Sequence, residues 1–327
     1  MARKAGVSTS AVSRTFTDGA SVSDATRLKV KKAAEALGYT PNALASSLTT
    51  GRTRLIGLVS NNFHNPIFLE VFDLFTRGLQ ERGLRPLLVN LSDEIDPAQS
   101  VHMLQQYSVD GVVVASSTLT LEFARAFKDA NIPVVHSFGR HTSSPQVHVV
   151  GIDNVESGKT AARELVRRGY KRVAFLGGPE EATSTKDRME GFKAELNKHE
   201  SVIETHSFAE AYSFNAGRVE ILRLLEQGGP AEAYFCGDDV LSIGVLSGLR
   251  DSGLKVPQDV GVIGLNDMEM SGWESVNLTT IKQPIEQIIS SSIELIVAML
   301  EDPERYPEAR IFPTKIIERG TLKPAPV

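Results

Sequence analysis

Polar and charged side chains stand directly after several short apolar runs of this sequence, where a ligand site would form. Asp238 follows the run AYFCG, and Asn266 follows GVIGL. Arg188 lies in the helical stretch after RVAFLGG, and its forked guanidinium suits a carboxylate or a pair of hydroxyl groups. Because ligands of open α/β sheets bind at the carboxyl ends of strands, we expect these side chains at the edge of a cleft. Two other roles stay open, since Arg188 could be a surface arginine and Asp238 could cap the following helix.

Aromatic residues supply further candidates for this cleft. Phe63 and Tyr212 could stack on the face of a sugar or a base, or could equally belong to the core. Trp273 is the single tryptophan and lies near the Asn266 loop, where it could line the cleft or pack beneath it. Ser184 is one more candidate.

Motifs of catalysis and metal binding are missing from the sequence. The seven histidines have no metal-like spacing, and there is no cysteine pair, P-loop, GxGxxG or GxSxG motif. The single cysteine, Cys236, lies in an apolar run and is interpreted as a reduced core thiol. We therefore predict no enzyme activity, no metal site and no cofactor.

The elements that must position these side chains form a repeating pattern after about residue 54. Short apolar runs alternate with amphipathic stretches of helical length, which predicts βαβ units and parallel sheets. The pattern suggests two similar halves that divide near residue 151, with the second series of strands beginning near 147–153. A helix over 284–300 and a strand pair near 310–319 could cross back between the halves. The predicted strands are 55–60, 86–91, 111–116, 133–138, 147–153, 172–178, 202–208, 233–237 and 259–265.

The first 54 residues differ from the rest in both charge and pattern. They carry a net charge of +6, whereas the remaining residues carry −11, so a polyanion would be attracted to the head alone. Gly6 suits a turn and Ser8 an N-cap, which predicts a helix over 8–17 after the turn. On that helix Ser10 and Arg14 lie one turn apart on one face, and such a helix can enter the major groove of DNA.

This head resembles the DNA-binding head of the lactose-repressor (LacI/GalR) family. The resemblance rests on the residues AGVS (5–8), VSR (12–14), VS (22–23), TR (26–27) and LGYxPNxLA (37–45). It implies a helix-turn-helix domain over residues 1–40 and a hinge helix with its linker over 41–53. The DNA contacts that it implies are Thr9, Ser10, Ser13, Arg14, Ser23, Thr26, Asn42, Ala45 and Leu48. Among them, Leu48 would act as an apolar wedge in the minor groove, and Ala45 would let paired hinge helices approach closely.

The sequence departs from this family at the first helix. Only Met1–Ala5 precede the turn, and such a short helix is marginal by itself. Two explanations remain open: a start site assigned too late, or a head that is weakened in this chain.

The remaining sequence, residues 54–327, is similar to the sensor module of the same family, which is shared with periplasmic sugar-binding proteins. The resemblance rests on LIGLVSNNFHNPIF, VVGIDNVESG, CGDD, VPQDVGVIGLND and LTTIKQP. It implies two doubly wound Rossmann-like subdomains, one of residues 54–152 plus 282–311 and the other of 153–281 plus 312–327. It also adds Gln283 to the ligand-binding candidates. Asp238 and Asn266 stand where the family more often has Asn and then Asp, which suggests an altered hydrogen-bond pattern.

Together these features predict a ligand-responsive transcriptional regulator, and more specifically a repressor. We expect a homodimer that binds a pseudo-palindromic operator and senses a carbohydrate or sugar acid. No secretory signal or membrane-spanning run is found, so we expect a cytoplasmic protein without a membrane partner. The alternatives are a solute-binding protein of the same sensor fold without DNA activity, and an enzyme on an α/β scaffold.

Overall fold

The protein is described by a computed structural model that covers residues 1–17, 19–40, 42, 47, 51–61, 63–91 and 96–326. Its contacts divide the chain into two compact units, Met1–Arg54 and Leu55–Val327.

The first unit is a small helical domain. Its described helices are α1 (Ala2–Ala5), α2 (Thr9–Thr15) and α3 (Asp24–Glu35). Gly6 ends α1 with a φ of 64°, a left-handed conformation that costs little for glycine, and Ser8 caps α2. The core consists of few and mostly small side chains, namely Ala5, Val12, Val30 and Ala33. Apart from Asn42 and Ser47, the predicted hinge helix over 41–50 lies outside the described residues.

The second unit is an α/β structure. Its strands are β1 (Leu55–Ser60), β2 (Arg85–Asn90), β3 (Gly111–Ala115), β4 (Val134–Ser137), β5 (His148–Ile152), β6 (Arg172–Gly177), β7 (Ile203–Phe208), β8 (Ala233–Cys236), β9 (Gly261–Asn266), β10 (Thr279–Lys282), β11 (Ala309–Phe312) and β12 (Lys315–Ile317). Its helices are α4 (Ile67–Glu81), α5 (Pro97–Gln106), α6 (Leu121–Asp129), α7 (Asn154–Arg167), α8 (Thr183–Leu196), α9 (Phe214–Gly228), α10 (Asp239–Asp251) and α11 (Ile285–Glu301), with a 3₁₀ helix at Glu269–Gly272.

The strands form two sheets of six among the described residues. The first has the order β11-β5-β4-β3-β1-β2, and the second has the order β12-β10-β9-β8-β6-β7. All pairs are parallel except β10 with β12. Within each sheet the first five strands have the doubly wound order 2-1-3-4-5. Helices cover such sheets on both faces, so inner strands such as the GVVVA segment of β3 are buried throughout.

The chain passes between the two sheets three times. The passages join β5 to α7, β10 to α11, and β11 to β12. We call the part that contains the first sheet the first half and the part that contains the second sheet the second half.

Two details that were predicted from the apolar pattern were wrong. Strand β5 completes the five consecutive strands of the first sheet and does not open the second, because it pairs with β4. The two tail strands do not pair with each other: β11 joins β5, and β12 joins β10. In addition, β10 was not predicted as a strand, and its polar sequence TTIK explains why apolar patterning missed it.

Helices α7 and α8 approach each other very closely. A Cβ atom on Gly158 would collide with the backbone carbonyl of Arg188, and one on Gly191 would collide with that of Val155. The two glycines therefore permit the contact of these helices, which fixes the position of Arg188 on α8.

Candidate functional site

The exposed surface of α2 is the first candidate site. Ser8 accepts a hydrogen bond from the Ala11 amide at 3.2 Å and so fixes the start of the helix. Val12 and Thr15 are buried, so the opposite face of α2 points to solvent. That face presents four of the predicted DNA contacts, all exposed: Thr9, Ser10, Ser13 and Arg14.

The beginning of α3 is a second exposed part of the head. Ser23 accepts from the Thr26 amide at 3.3 Å, and the two hydroxyl groups are 2.9 Å apart. Asn42 is also exposed. Lys29, Lys31 and Lys32 add positive charge along α3, which suits a phosphate backbone. The predicted contacts Ala45 and Leu48 lie outside the described residues.

A narrow cavity lies between the two halves of the second unit. The carboxyl ends of strands from both sheets surround it, as expected for doubly wound sheets. The residues that line it are Asn65, Ile67, Phe68, Val71, Ser117, Phe138, Arg188, Tyr212, Asp238, Asn266, Gln283 and Ile285. Its two sides differ, because the aliphatic and phenylalanine side chains all come from the first half and α11, whereas Arg188, Asp238 and Asn266 come from the second half.

Arg188 is the buried cation of this cavity. Its residue is only 3% exposed. Its Nε donates to Asn154 Oδ1 at 2.8 Å, and its Nη1 donates to the Gly237 carbonyl at 2.5 Å. These two bonds fix the plane of the guanidinium, so its remaining edge can bind a ligand oxygen.

The two carboxylate oxygens of Asp238 accept different hydrogen bonds. Its Oδ1 accepts from the Leu241 amide at 2.9 Å, which caps α10. Its Oδ2 accepts from Asn65 Nδ2 at 2.6 Å, across the cavity from the first half. The capping role left open by the sequence is therefore real, and it does not exclude a ligand role because the carboxylate also lines the cavity.

Burial controls the protonation of this carboxylate. It raises the pKa of Asp238 to about 6, while the Leu241 amide, Arg188 and Asn65 act in the opposite direction. Burial also raises the pKa of the neighbouring Asp239 to about 7, against hydrogen bonds from Thr280 and the Met268 amide. The polar wall of the cavity is therefore sensitive to pH near neutrality.

Asn266 and Gln283 form the other polar corner. Gln283 Nε2 donates to Asn266 Oδ1 at 2.5 Å, and both residues are buried. Asn266 ends β9, whereas Gln283 follows β10 on the passage to α11. Two neighbouring strand ends thus present an amide pair to the cavity.

Tyr212 closes one side of the cavity with its ring. The ring lies against Gly178 and Gly237, where added Cβ atoms would meet it at 2.5 and 3.1 Å. Its hydroxyl group forms a hydrogen bond with Thr185 at 2.7 Å. The ring is buried yet faces the cavity, so its core role is confirmed and its stacking on a ligand stays a prediction.

Three of the predicted ligand residues are not among those that line this cavity. Phe63 packs against Phe72, with ring centroids 4.8 Å apart. Ser184 is buried, and its Oγ has no hydrogen-bond partner among the described residues. Trp273 is 49% exposed at the end of the 3₁₀ helix. Their ligand roles remain predictions.

The sequence prediction missed the contribution of the first half. Asn65, Ser117 and Phe138 follow β1, β3 and β4 in the same way that Asp238 follows β8. Applying the strand-end rule to the first half would have found Asn65 and Ser117. The apolar wall carries no such signal, because its residues resemble those of any core.

Polar contacts other than the bond of Asn65 to Asp238 also join the halves around the cavity. The Ser117 carbonyl accepts from Thr183 Oγ1 at 2.9 Å and from the Ser184 amide at 3.2 Å. Arg140 forms a bidentate ion pair with Asp187, in which Nε lies 3.0 Å from Oδ2. Polar bonds from both halves therefore surround the cavity.

Two family models match the chain. Residues 1–42 match the lacI family of bacterial regulatory proteins, and residues 162–322 match the periplasmic binding protein-like domain. The predicted fold class, a helix-turn-helix head with a periplasmic-binding-protein-like sensor, is confirmed.

Two proteins of similar sequence bear the name of a repressor. The HTH-type transcriptional repressor PurR of Vibrio atlanticus (strain LGP32) is 30% identical over 329 residues, which cover 99% of this chain and 97% of that protein. PurR of Vibrio parahaemolyticus serotype O3:K6 is 31% identical over 331 residues, with the same coverage.

Similar solved structures lead to the same family. A LacI-family regulator from Silicibacter pomeroyi has a TM-score of 0.80 at 28% identity, covering 99% of this chain and 98% of that one. The complex of the transcriptional regulator CelR with cellobiose has a TM-score of 0.74 at 28% identity and covers 98% of both chains. The Lac repressor dimer on its operator shares the fold, with a TM-score of 0.87 at 23% identity and 98% coverage of both chains.

The chain belongs to the LacI family of bacterial regulatory proteins. It is a DNA-binding transcriptional regulator. The family consists of regulators and not of enzymes. No helix among the described residues has the length and apolar character needed to cross a membrane.

Proposed function

We propose that the protein is a repressor that binds a pseudo-palindromic operator as a homodimer and is controlled by a sugar or sugar-like molecule in the cleft. The observation that carries the proposal is that one chain combines the exposed α2 face with the polar-walled cavity. The proposal includes no catalytic step, and the protein acts in the cytoplasm because its DNA target lies there.

The DNA-binding part of the proposal rests on the head. Arg14 and Ser10 lie on the exposed face of α2, a helix that is long enough to place its first residues against base edges. Ser23, Thr26 and Asn42 are exposed or half-buried and are proposed to contact the phosphate backbone. The cationic side chains of α3 add an attraction that does not depend on sequence.

The effector class follows from the two unlike walls. A sugar ring presents hydroxyl groups at its rim and C–H groups on its face, so it can satisfy a polar wall and an apolar wall together. Arg188, Asp238, Asn266 and Gln283 would bind hydroxyl or carboxylate oxygens, while Phe68 and Phe138 would contact the ring face. The complex of CelR with cellobiose shows that a similar chain holds a sugar.

A DNA-selection experiment tests the first part. Duplexes selected from a random library by the full-length protein are measured by fluorescence anisotropy against wild type and Arg14→Ala. We expect the substitution to weaken specific binding by about tenfold or more, since a base contact contributes about 1–3 kcal/mol. Arg125→Ala is the matched control, because it removes an exposed arginine from α6 of the second unit.

The second part is tested on the selected duplex. Cellobiose and other sugars and sugar acids are added one at a time, and the anisotropy and sedimentation of the complex are recorded. A change in DNA affinity with an unchanged protein dimer supports control by the effector. Failure of the library to yield any preferred duplex would contradict the proposal of a specific operator.

A further inference from the structure

Two consecutive residues at the edge of the cavity have an unusual backbone. Asn266 has a φ of 136° and Asp267 a φ of 63°, and neither is glycine. Positive φ is uncommon for residues with a side chain, although Asn and Asp tolerate it better than most. Such a segment persists where the surrounding structure holds it, and it is often found at binding sites.

Asp267 is held by two cations. Arg319 Nη2 donates to its Oδ1 at 2.6 Å, and Lys282 Nζ lies 3.1 Å from its Oδ2. The carboxylate is largely buried, since the side chain is only 9% exposed. It does not line the cavity, so its interactions lie behind the site.

Arg319 is itself fixed to strand β10. Its amide donates to Thr279 Oγ1 at 2.9 Å, and its Nη1 donates to the Leu278 carbonyl at 2.9 Å. It therefore offers Asp267 a preorganised partner and not a freely moving surface charge.

Met268, the residue after Asp267, is held by Asp239. The Met268 amide donates to Asp239 Oδ2 at 2.8 Å, and Thr280 Oγ1 donates to Asp239 Oδ1 at 2.5 Å. Asp239 directly follows the cavity residue Asp238. The segment after β9 is thus attached both to the end of β8 and to β10.

The end of β10 binds the segment after β9 through two consecutive residues. Lys282, the last residue of β10, binds Asp267, and Gln283 binds the side chain of Asn266. The Gln283 amide also donates to the Asn266 carbonyl at 3.3 Å. Asn266 and Asp267 are therefore both anchored at the end of β10, by separate bonds.

We propose that Asp267 is a positioning residue of the effector site. Its carboxylate, bound by Lys282 and Arg319, keeps the Asn266–Asp267 backbone in its left-handed conformation and so presents Asn266 and Gln283 to the effector. Asp267 does not itself contact the effector. This inference rests on the proposed effector role of the cavity.

Three substitutions separate the backbone requirement from the ion pairs. Asp267→Asn keeps the shape, an acceptor for Arg319 and tolerance of positive φ, but loses the charge. Asp267→Gly keeps only the tolerance of positive φ, and Asp267→Ala keeps neither property. The control is Asn131→Ala, which removes another residue at positive φ, 59°, outside the effector cavity.

Hydrogen exchange of the full-length variants gives a readout that needs no effector. The Met268 amide reports on the segment because its partner is Asp239. We expect Asp267→Gly and Asp267→Ala to speed its exchange by about tenfold or more, with the amides of β3 unchanged. Asp267→Asn should stay closest to wild type, and Asn131→Ala should leave Met268 unaffected. Wild-type protection of Met268 in Asp267→Gly would overturn the proposal, because the ion pairs would then not hold the segment.

Calorimetry with cellobiose as the probe then tests the connection to binding. Where wild type binds, we expect Asp267→Gly and Asp267→Ala to lose at least about tenfold in affinity, while Asn131→Ala stays within about twofold. Unchanged affinity in Asp267→Ala would overturn the positioning role. If cellobiose does not bind wild type, that result counts against the proposed sugar effector, and the exchange measurement still decides whether Asp267 holds the segment.

Discussion

At the scale of single residues, the cavity combines one fixed cation with one carboxylate that titrates near neutral pH. Arg188 is tied to Asn154 and Gly237, whereas Asp238 is tied to Leu241 and Asn65. Each side chain is therefore oriented before any effector arrives. Preorganisation of this kind lowers the entropic cost of binding.

Replacement of Arg188 tests the strongest of these interactions. We expect Arg188→Ala to weaken effector binding by about 100-fold, because truncating a buried charged partner costs about 2–5 kcal/mol. Arg188→Lys should not restore binding, since a lysine cannot reproduce the forked geometry. Titration calorimetry measures both. Arg167→Ala, which removes a 52% exposed arginine on α7, should leave the affinity unchanged, and equal loss in this control would contradict a specific role for Arg188.

The pH dependence of binding tests Asp238. Its pKa in the free protein is raised to about 6, so the carboxylate is ionised at pH 7 and mostly protonated at pH 5. An effector hydroxyl group that donates to the carboxylate favours the ionised form, so binding should weaken as the pH falls through 6. We expect the effector affinity to fall by about tenfold between pH 7 and pH 5, since below the pKa the ionised fraction of Asp238 falls about tenfold per pH unit.

The matched variant for this experiment is Asp238→Asn, which cannot titrate at this position. Asp239 is still present in the variant, and loss of the Asp238 charge should lower its pKa, because that charge is one of the groups that raise it. A clearly shallower pH profile for the variant than for wild type supports the assignment to Asp238. The same raised pKa makes ionised Asp238 unfavourable for folding, so its contribution to stability decreases as pH rises from 3.8 to about 6.

At the scale of elements, the contact of α7 with α8 depends on glycine. We expect Gly191→Ala to push the helices apart, lower the melting temperature and weaken effector binding through displacement of Arg188, because the added Cβ would collide with the Val155 carbonyl. Thermal denaturation and calorimetry measure the two effects. Gly228→Ala is the control, since among the described residues no atom beyond its chain neighbours and its own helix backbone lies within 4 Å of the added Cβ. If both variants behave alike, the close approach does not matter.

Much of this element structure could be predicted from the sequence because parallel strands are buried on both faces and have continuous apolar runs. The segments that formed β3 and β6 are of this kind. Strand β10 was missed because TTIK lacks that pattern, although its side chains Thr279, Thr280 and Ile281 are buried. Strands β5, β11 and β12 join their sheets by pairing with distant segments. The local sequence pattern does not encode such pairing.

The candidate site was predictable to a similar degree and for a related reason. Polar residues after apolar runs stand out, so Arg188, Asp238 and Asn266 were found. Phe68 and Phe138 look like ordinary core residues in the sequence, and only the closure of the two halves brings them to the cavity. The positive φ of Asp267 is also a property of the folded backbone and left no separate signal in the sequence.

At the scale of the whole molecule, the two compact units differ greatly in their cores. The head has a small core made largely of alanine and valine, whereas the second unit has extensive clusters around both sheets. Small domains bury a smaller fraction of their surface and are correspondingly less stable. The head should therefore unfold at a lower temperature than the second unit.

Differential scanning calorimetry of the full chain tests this expectation. We expect two transitions, with operator DNA raising the lower one and an effector raising the upper one, since each ligand stabilises the unit that it binds. Each ligand is expected to raise the free energy of unfolding of its unit by about 2.7 kcal/mol at a ligand concentration 100 times the dissociation constant. A single transition that both ligands shift equally would contradict independent unfolding of the units.

The final strands of the two sheets also bear on how the molecule is made. Strands β11 and β12 lie close together in the chain, at Ala309–Phe312 and Lys315–Ile317, yet each completes a different sheet. During synthesis neither sheet can acquire its sixth strand until this segment leaves the ribosome. The head precedes the second unit in the chain, so it can fold earlier. The two halves of the sensor thus reach completion almost simultaneously, and a nascent chain has no intact effector module while its DNA-binding surface is already formed.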